Sequence, residues 1–357
     1  MHAQALLLLC CTALAAAPEA PVPKFLAGFE AEFRHDPRAA GGQWFRAARY
    51  GLFVHYGLNS LSPGGKRDPL PAGTSATDLR NRFRAERFDA AALADLAVAA
   101  GMRYITFTPY HGGGPYLFRS AVGHPNTLDL PARRDLVDEL AKACAARGLG
   151  LFLYVHCSLQ WSSDDVWERN RALLTELATQ YGPLAGFWLD TDSLYYKEPR
   201  RYPRLAETYR LLRERQPQAQ ISFCHGVTGD EDFLTYEHRR RELADFRLIP
   251  AQVKRKLANA PVEVCTTMQL DKQGGKGTKL WFNVDDAWHR TADEVWGLLA
   301  AAVRDKTNLL LNVGLRGDGS VHPSDEAALR AGGRRLAAEG WPPAAPADDA
   351  QPAAQDR

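Results

Sequence analysis

The chain has 357 residues, of which 24% are charged and 45% hydrophobic, and its formal net charge is +2. That length holds one large α/β barrel or two ordinary domains, either with a sizeable core. Lys and Arg are interleaved with acids on predicted helices and turns, so the balance argues against a nucleic-acid stripe or a membrane-binding face.

In chain order, Met1-His2 is followed by an apolar, small-residue run from Ala3 to Ala17, which ends Ala13-Leu14-Ala15-Ala16-Ala17-Pro18. Although its start lacks Lys or Arg, this reads as a signal peptide over 1–17 and predicts export. The run is short for a transmembrane helix, and no later run is long enough to span a bilayer. Cys10 and Cys11 leave with it. Cys144, Cys157, Cys224 and Cys265 remain, with neither Cys-x-x-Cys nor zinc-type spacing, so no structural metal is expected. Export permits a disulfide, but the spacing does not say which thiols pair.

Residues 18–40 form a Pro/Ala-rich lead-in, and a barrel is expected over 41–341. Gly51-Leu-Phe-Val-His55 is a first strand, and 58–79 is a long loop rich in Pro and Gly, of the kind that is usually functional or disordered. Phe88 to Ala100 has helical spacing closed by Gly101; Tyr104 to Pro109 is strand two, with Tyr110-His111-Gly112 at its mouth. A helix over Asp135 to Arg147 stops at Gly148. Leu149 to Val155 leads into His156, and Asp164 to Tyr181 is helical. Leu184 to Leu189 is a short apolar strand followed at once by Asp190 and Asp192. Leu205 to Glu214 is helical, and Gln220 to Cys224 and Val262 to Met268 are strands. Trp281 to Val284 reads as a seventh strand or a loop. Thr291 with Glu294 forms a capping box, Asn308 to Asn312 is the last strand, and a final helix runs from Ser324 to about Glu339. From Pro342 to residue 357 the composition is that of a disordered tail.

Strand and helix alternate throughout, the pattern of a parallel (β/α)8, TIM-like barrel. A doubly wound sheet is the rival, but no Gly-x-Gly-x-x-Gly opens a helix after strand one. In a barrel the strand ends converge, so His55, Tyr110, His111, His156, Asp190 with Asp192, the Cys224-His225 end, Glu263 and Asn312 gather at one mouth. Two chemistries suit that inventory. Two carboxylates can flank a scissile glycosidic bond, or His and Asp can hold a metal that activates water. The histidines are single and on different strands, without His-x-His, so no metal and no cofactor are expected.

Trp44-Phe-Arg-Ala-Ala-Arg-Tyr-Gly-Leu-Phe-Val-His55-Tyr-Gly, Ala100-Gly-Met-Arg-Tyr-Ile-Thr-Phe-Thr, Pro131-Ala-Arg-Arg-Asp-Leu-Val137, Tyr181-Gly-Pro with Phe-Trp-Leu-Asp190, and Asn308-Leu-Leu-Leu-Asn-Val-Gly314 with Asp318-Gly319 occur in that order. This ordered set resembles the signatures of glycoside hydrolase family 29, the α-L-fucosidases, from about Trp44 to Trp341. The resemblance implies a retaining hydrolase that removes terminal α-L-fucose, or a closely related sugar, from fucosylated glycans. Asp190 would be its nucleophile. Asp232-Phe-Leu-Thr-Tyr-Glu237 is similar to a family motif that closes on the acid/base, which makes Glu237 that residue; Glu263, in Val-Glu-Val-Cys265, is the second choice. Sugar contacts fall by resemblance on His55, Tyr110, His111, Tyr154 and Trp281, and on His225 at a position where the family has Arg.

The chain departs from the family at Tyr110, where a His is usual, at Gly112, where an Asp is usual, and between Leu79 and Phe88, which lack a Glu-Trp-Tyr stretch. It is also read as ending after the barrel without the family's C-terminal β-sandwich. These departures touch the groups that hold the sugar more than the catalytic Asp. They leave two alternatives: a catalytically weak glycan-binding barrel and a metal-dependent hydrolase.

Overall fold

The computed structural model describes residues 21–62, 75–111, 114–122, 125–156, 164–191, 202–271 and 279–344. The signal-peptide reading, most of the long loop, Gly112, Cys157, Asp192 and the tail from 345 lie outside the described residues. No described helix is long and apolar enough to cross a membrane.

Eight parallel strands form a nearly closed barrel: β1 (Tyr50–His55), β2 (Tyr104–Tyr110), β3 (Gly150–His156), β4 (Gly186–Asp190), β5 (Gln220–Phe223), β6 (Leu234–Glu237), β7 (Val262–Thr267) and a last strand, β11 (Asn308–Gly314). Their order is β5-β4-β3-β2-β1-β11-β7-β6. At the seam between β5 and β6, Thr235 N donates to Cys224 O at 2.8 Å and Asp232 N to Ile221 O at 2.7 Å. A small antiparallel sheet, β10-β8-β9, comprises β8 (Gln269–Leu270), β9 (Lys279–Leu280) and β10 (Trp288–His289).

Of the two readings open for Trp281 to Val284, the loop holds: the segment follows β9 and is no strand. The strand missing from the expected set is β6, which puts Glu237 at a strand end. Leu234-Thr-Tyr-Glu is too short to show periodicity, and Asp and Glu depress its β propensity on either side.

Strand alternation divides the core in two. Residues such as Leu52, Val54, Ile105 and Phe107 pack outward against the helices. Phe53, Tyr104, Phe152, Tyr154, Trp188 and Leu310 fill the interior. The N-terminal end of the barrel is plugged by α2 (Pro37–Ala48), whose start is capped by Asp36 accepting from Ala39 N at 3.0 Å, with Pro37 in the first turn. From this helix Trp44 and Phe45 enter the interior cluster. Phe25 lies edge-on to Trp44 at 4.8 Å, so part of the stretch expected as a lead-in packs beneath the barrel.

The capping box expected at Thr291 and Glu294 starts the helix Ala292–Asp305. Gly148 closes Leu136–Arg147 in the left-handed conformation at φ 68.

Candidate active site

Three successive strand ends at the C-terminal mouth share an unusual backbone. Thr191 after β4, Cys224 after β5 and His238 after β6 have φ of 70, 41 and 70 respectively. Left-handed backbone costs a non-glycine residue about 1 kcal/mol or more, and such strain clusters at functional sites. At Thr191 the turn aims its N–H back at the Asp190 carboxylate, 2.6 Å from Oδ1. The Tyr154 hydroxyl donates to Oδ2 at 2.6 Å, and the Cys224 thiol lies 3.4 Å from Oδ1. Both carboxyl oxygens are therefore held, and Asp190 is a fixed group at a strand end, partly open to solvent.

Beside it stands a cluster of rings on an amide frame. His55 is 3% exposed, and its Nδ1 lies 2.7 Å from Asn312 Oδ1. The Asn312 amide nitrogen donates to Thr267 Oγ1 at 3.1 Å and to Trp281 O at 2.9 Å, so its oxygen is the acceptor and His55 carries the proton on Nδ1. Trp281 lies 5.3 Å from the His55 ring, and His111 stacks on Tyr154 at 5.5 Å. Gly314 permits this approach: a Cβ there would fall 2.5 Å from Asn283 N and 2.8 Å from Trp281 O. Asp190, His55, His111, Tyr154 and Trp281 thus converge.

Two expected sugar contacts do not join them. Tyr110 packs edge-on against Tyr116 at 5.0 Å in the outer core, because the register of β2 against β3 shifts between Phe107 and Tyr110. His225 stacks on Phe246 at 4.0 Å and on Tyr236 at 5.5 Å, against the outward face of β6.

The two remaining carboxylates separate clearly. Glu237 ends β6, pairs in register with Cys265 of the interior cluster, and is 58% exposed at its side chain. Glu263 is 1% exposed near the start of β7 and accepts from the Tyr104 hydroxyl at 2.6 Å and from the Trp188 indole at 3.0 Å. Burial pushes its carboxyl up to about 7 against the opposing pull of those two donors. Glu263 is an interior residue below the mouth. Burial first, and then the charges of Glu237, Glu263 and Asp190, raise the Cys265 thiol well above its usual value.

The sequence places Asn312 at the mouth without saying what it does; the fold makes it the acceptor that fixes His55. The parts played by Thr267 and the Cys224 thiol have no signal outside the fold. Among the described residues no group of three or more His, Cys, Asp or Glu side chains is placed to hold a metal ion.

The family model for alpha-L-fucosidase matches residues 26–340. The chain belongs to the alpha-L-fucosidase family. Among curated relatives, this fucosidase-family chain is 33% identical to the tissue alpha-L-fucosidase of Macaca fascicularis over 138 residues, 33% of this chain and 29% of that protein. It is 28% identical to the plasma alpha-L-fucosidase of Rattus norvegicus over 230 residues, 57% of this chain and 45% of that one. The chain thus matches less than half the length of either relative.

Among solved structures, alpha-L-fucosidase isoenzyme 1 from Paenibacillus thiaminolyticus superposes with a TM-score of 0.68 at 22% identity, covering 85% of this chain and 77% of that one. The alpha-L-fucosidase of Lactobacillus casei, in complex with its alpha-L-fucose product, gives 0.64 at 22%, covering 82% and 97%. At that identity the superpositions establish the shared barrel fold.

Proposed function

We propose that this chain is an exported retaining α-L-fucosidase acting on terminal α-L-fucose of glycans, with Asp190 as nucleophile and Glu237 as acid/base. The observation that carries this reading is the fixed Asp190 carboxylate at the end of β4, beside the ring cluster and two strands from Glu237. Neighbouring strands lie about 4.8 Å apart, so the two backbones are about 10 Å apart along the wall, and inward side chains shorten the span between carboxyls. A retaining pair needs about 5 to 5.5 Å.

In the first step Asp190 attacks the anomeric carbon, the glycosidic C–O bond breaks, and Glu237 gives its proton to the departing oxygen. In the second Glu237 takes a proton from water, whose oxygen displaces Asp190 from the same carbon. His55, presenting Nε2 because Nδ1 is committed to Asn312, suits a sugar hydroxyl, and Trp281 suits an apolar sugar face. The apolar stretch Ala3 to Ala17 supports export.

The test is hydrolysis of an aryl α-L-fucoside by the full chain. Turnover that Asp190→Ala abolishes and chelator leaves unchanged supports the reading; turnover lost with chelator points to metal chemistry instead. The outward packing of Tyr110 and His225 favours a second reading, a glycan-binding barrel with little turnover. Binding of fucosylated glycan without hydrolysis of any aryl fucoside would select it.

A further inference from the structure

His238 follows Glu237 directly and is unusual in several ways at once. Its backbone is left-handed, at φ 70, and its N–H donates to Cys265 O at 2.6 Å, which pins the turn at the end of β6. Its ring lies parallel to Trp281, 5.4 Å between centroids with 19° between planes. Its Nε2 is 3.8 Å from Glu237 Oε2. Its Nδ1 is buried and has no hydrogen-bond partner among the described residues.

A neutral imidazole has one N–H. On Nδ1 that hydrogen would be a buried donor with no acceptor, which costs about 1 to 3 kcal/mol. On Nε2 it sits on the nitrogen that lies 3.8 Å from Glu237 Oε2. The distance exceeds a hydrogen bond, but the Glu237 side chain is more than half exposed, and a small torsion of it closes the gap.

We propose that His238 is the positioning residue for Glu237: the left-handed turn and the Trp281 stack hold a neutral Nε2–H where it receives the carboxylate each time Glu237 gives up its proton. This rests on the reading of Glu237 as acid and base. A charged partner would serve poorly, because it would hold the carboxylate ionised and unable to return as an acid. The groups facing the ring keep it neutral. Burial first, then the charges of Lys279 on β9 and Arg290 after β10, push the imidazole down to about 3. Glu237 Oε2 lies 3.8 Å from the ring Nε2, and the Cys265 carbonyl on β7 accepts from the His238 backbone N–H, not from the ring.

The experiment measures the pH profile of kcat/KM on 4-nitrophenyl α-L-fucoside for four forms of the full chain: wild type, His238→Phe, His238→Asn and Glu237→Gln. Phe keeps a ring against Trp281 and removes the N–H. Asn tolerates the left-handed turn and keeps an N–H donor. His238→Phe is expected to lose about tenfold in kcat/KM, with the basic limb of the profile moved to higher pH, because removal of the donor disfavours the ionised carboxyl. His238→Asn is expected to stay within about threefold of wild type with its limb in place. An unmoved limb in His238→Phe, or equal losses in both variants, would overturn the proposal, and matched melting temperatures guard against a folding artefact. Glu237→Gln separates the underlying reading: undiminished kcat/KM in that variant means Glu237 is not the acid, whatever the His238 variants show. A loss there, offset by azide or by a dinitrophenyl leaving group, sustains it.

Discussion

Glu263 offers a quantitative test of the interior electrostatics. Its carboxyl is fully buried and pushed up to about 7 by desolvation, from an ordinary value of 4.5. A folded-state value raised above the unfolded one means the fold prefers the protonated acid. The associated stability is fully present below about pH 4.5 and is lost as pH rises through about 7. The shift corresponds to about 3 kcal/mol over that window. Glu263→Gln removes the titration and still fits the site: Trp188 donates only, so the amide oxygen must face the indole, and the amide nitrogen then faces the Tyr104 hydroxyl, which can accept. Urea unfolding of both proteins between pH 4.5 and 8 measures the effect. The variant should gain about 3 kcal/mol on wild type across the window. Parallel pH curves would refute the assignment of Glu263 as a desolvated interior acid. The same variant should lose far less fucosidase activity than Glu237→Gln, since its carboxyl lies beneath the mouth.

If Asp190 is the nucleophile proposed, Asp190→Ala should lower kcat on an aryl fucoside by about a thousandfold or more, because the covalent intermediate would have no carboxylate to form on. Tyr154→Phe removes the donor to Asp190 Oδ2 and should cost about tenfold in kcat, with little change in unfolding free energy beyond about 1.5 kcal/mol. Gly314→Ala places a methyl 2.5 Å from Asn283 N, so the 281–283 segment must move; a raised KM and an altered Trp281 fluorescence environment should accompany the shift.

Much of this molecule could be read locally. Alternating apolar strands and amphipathic helices identify the barrel, since a strand buried on both faces needs a short apolar run and a covering helix needs a 3.6-residue stripe. Capping by Thr291 and Glu294, the stop at Gly148 and the carboxylate after Leu189 are likewise signals carried by neighbouring residues. The rest depended on partners distant in sequence. Whether Tyr110 faces the mouth hangs on a register shift against β3, and β6 owes its existence to pairing with β7, not to its own four residues. Glu237 and Glu263 look alike as strand carboxylates in a chain of letters. Their different depths in a tilted barrel make one an open group at the rim and the other a desolvated acid under two donors, because strand stagger and the aromatic plug beneath are properties of the closed sheet alone.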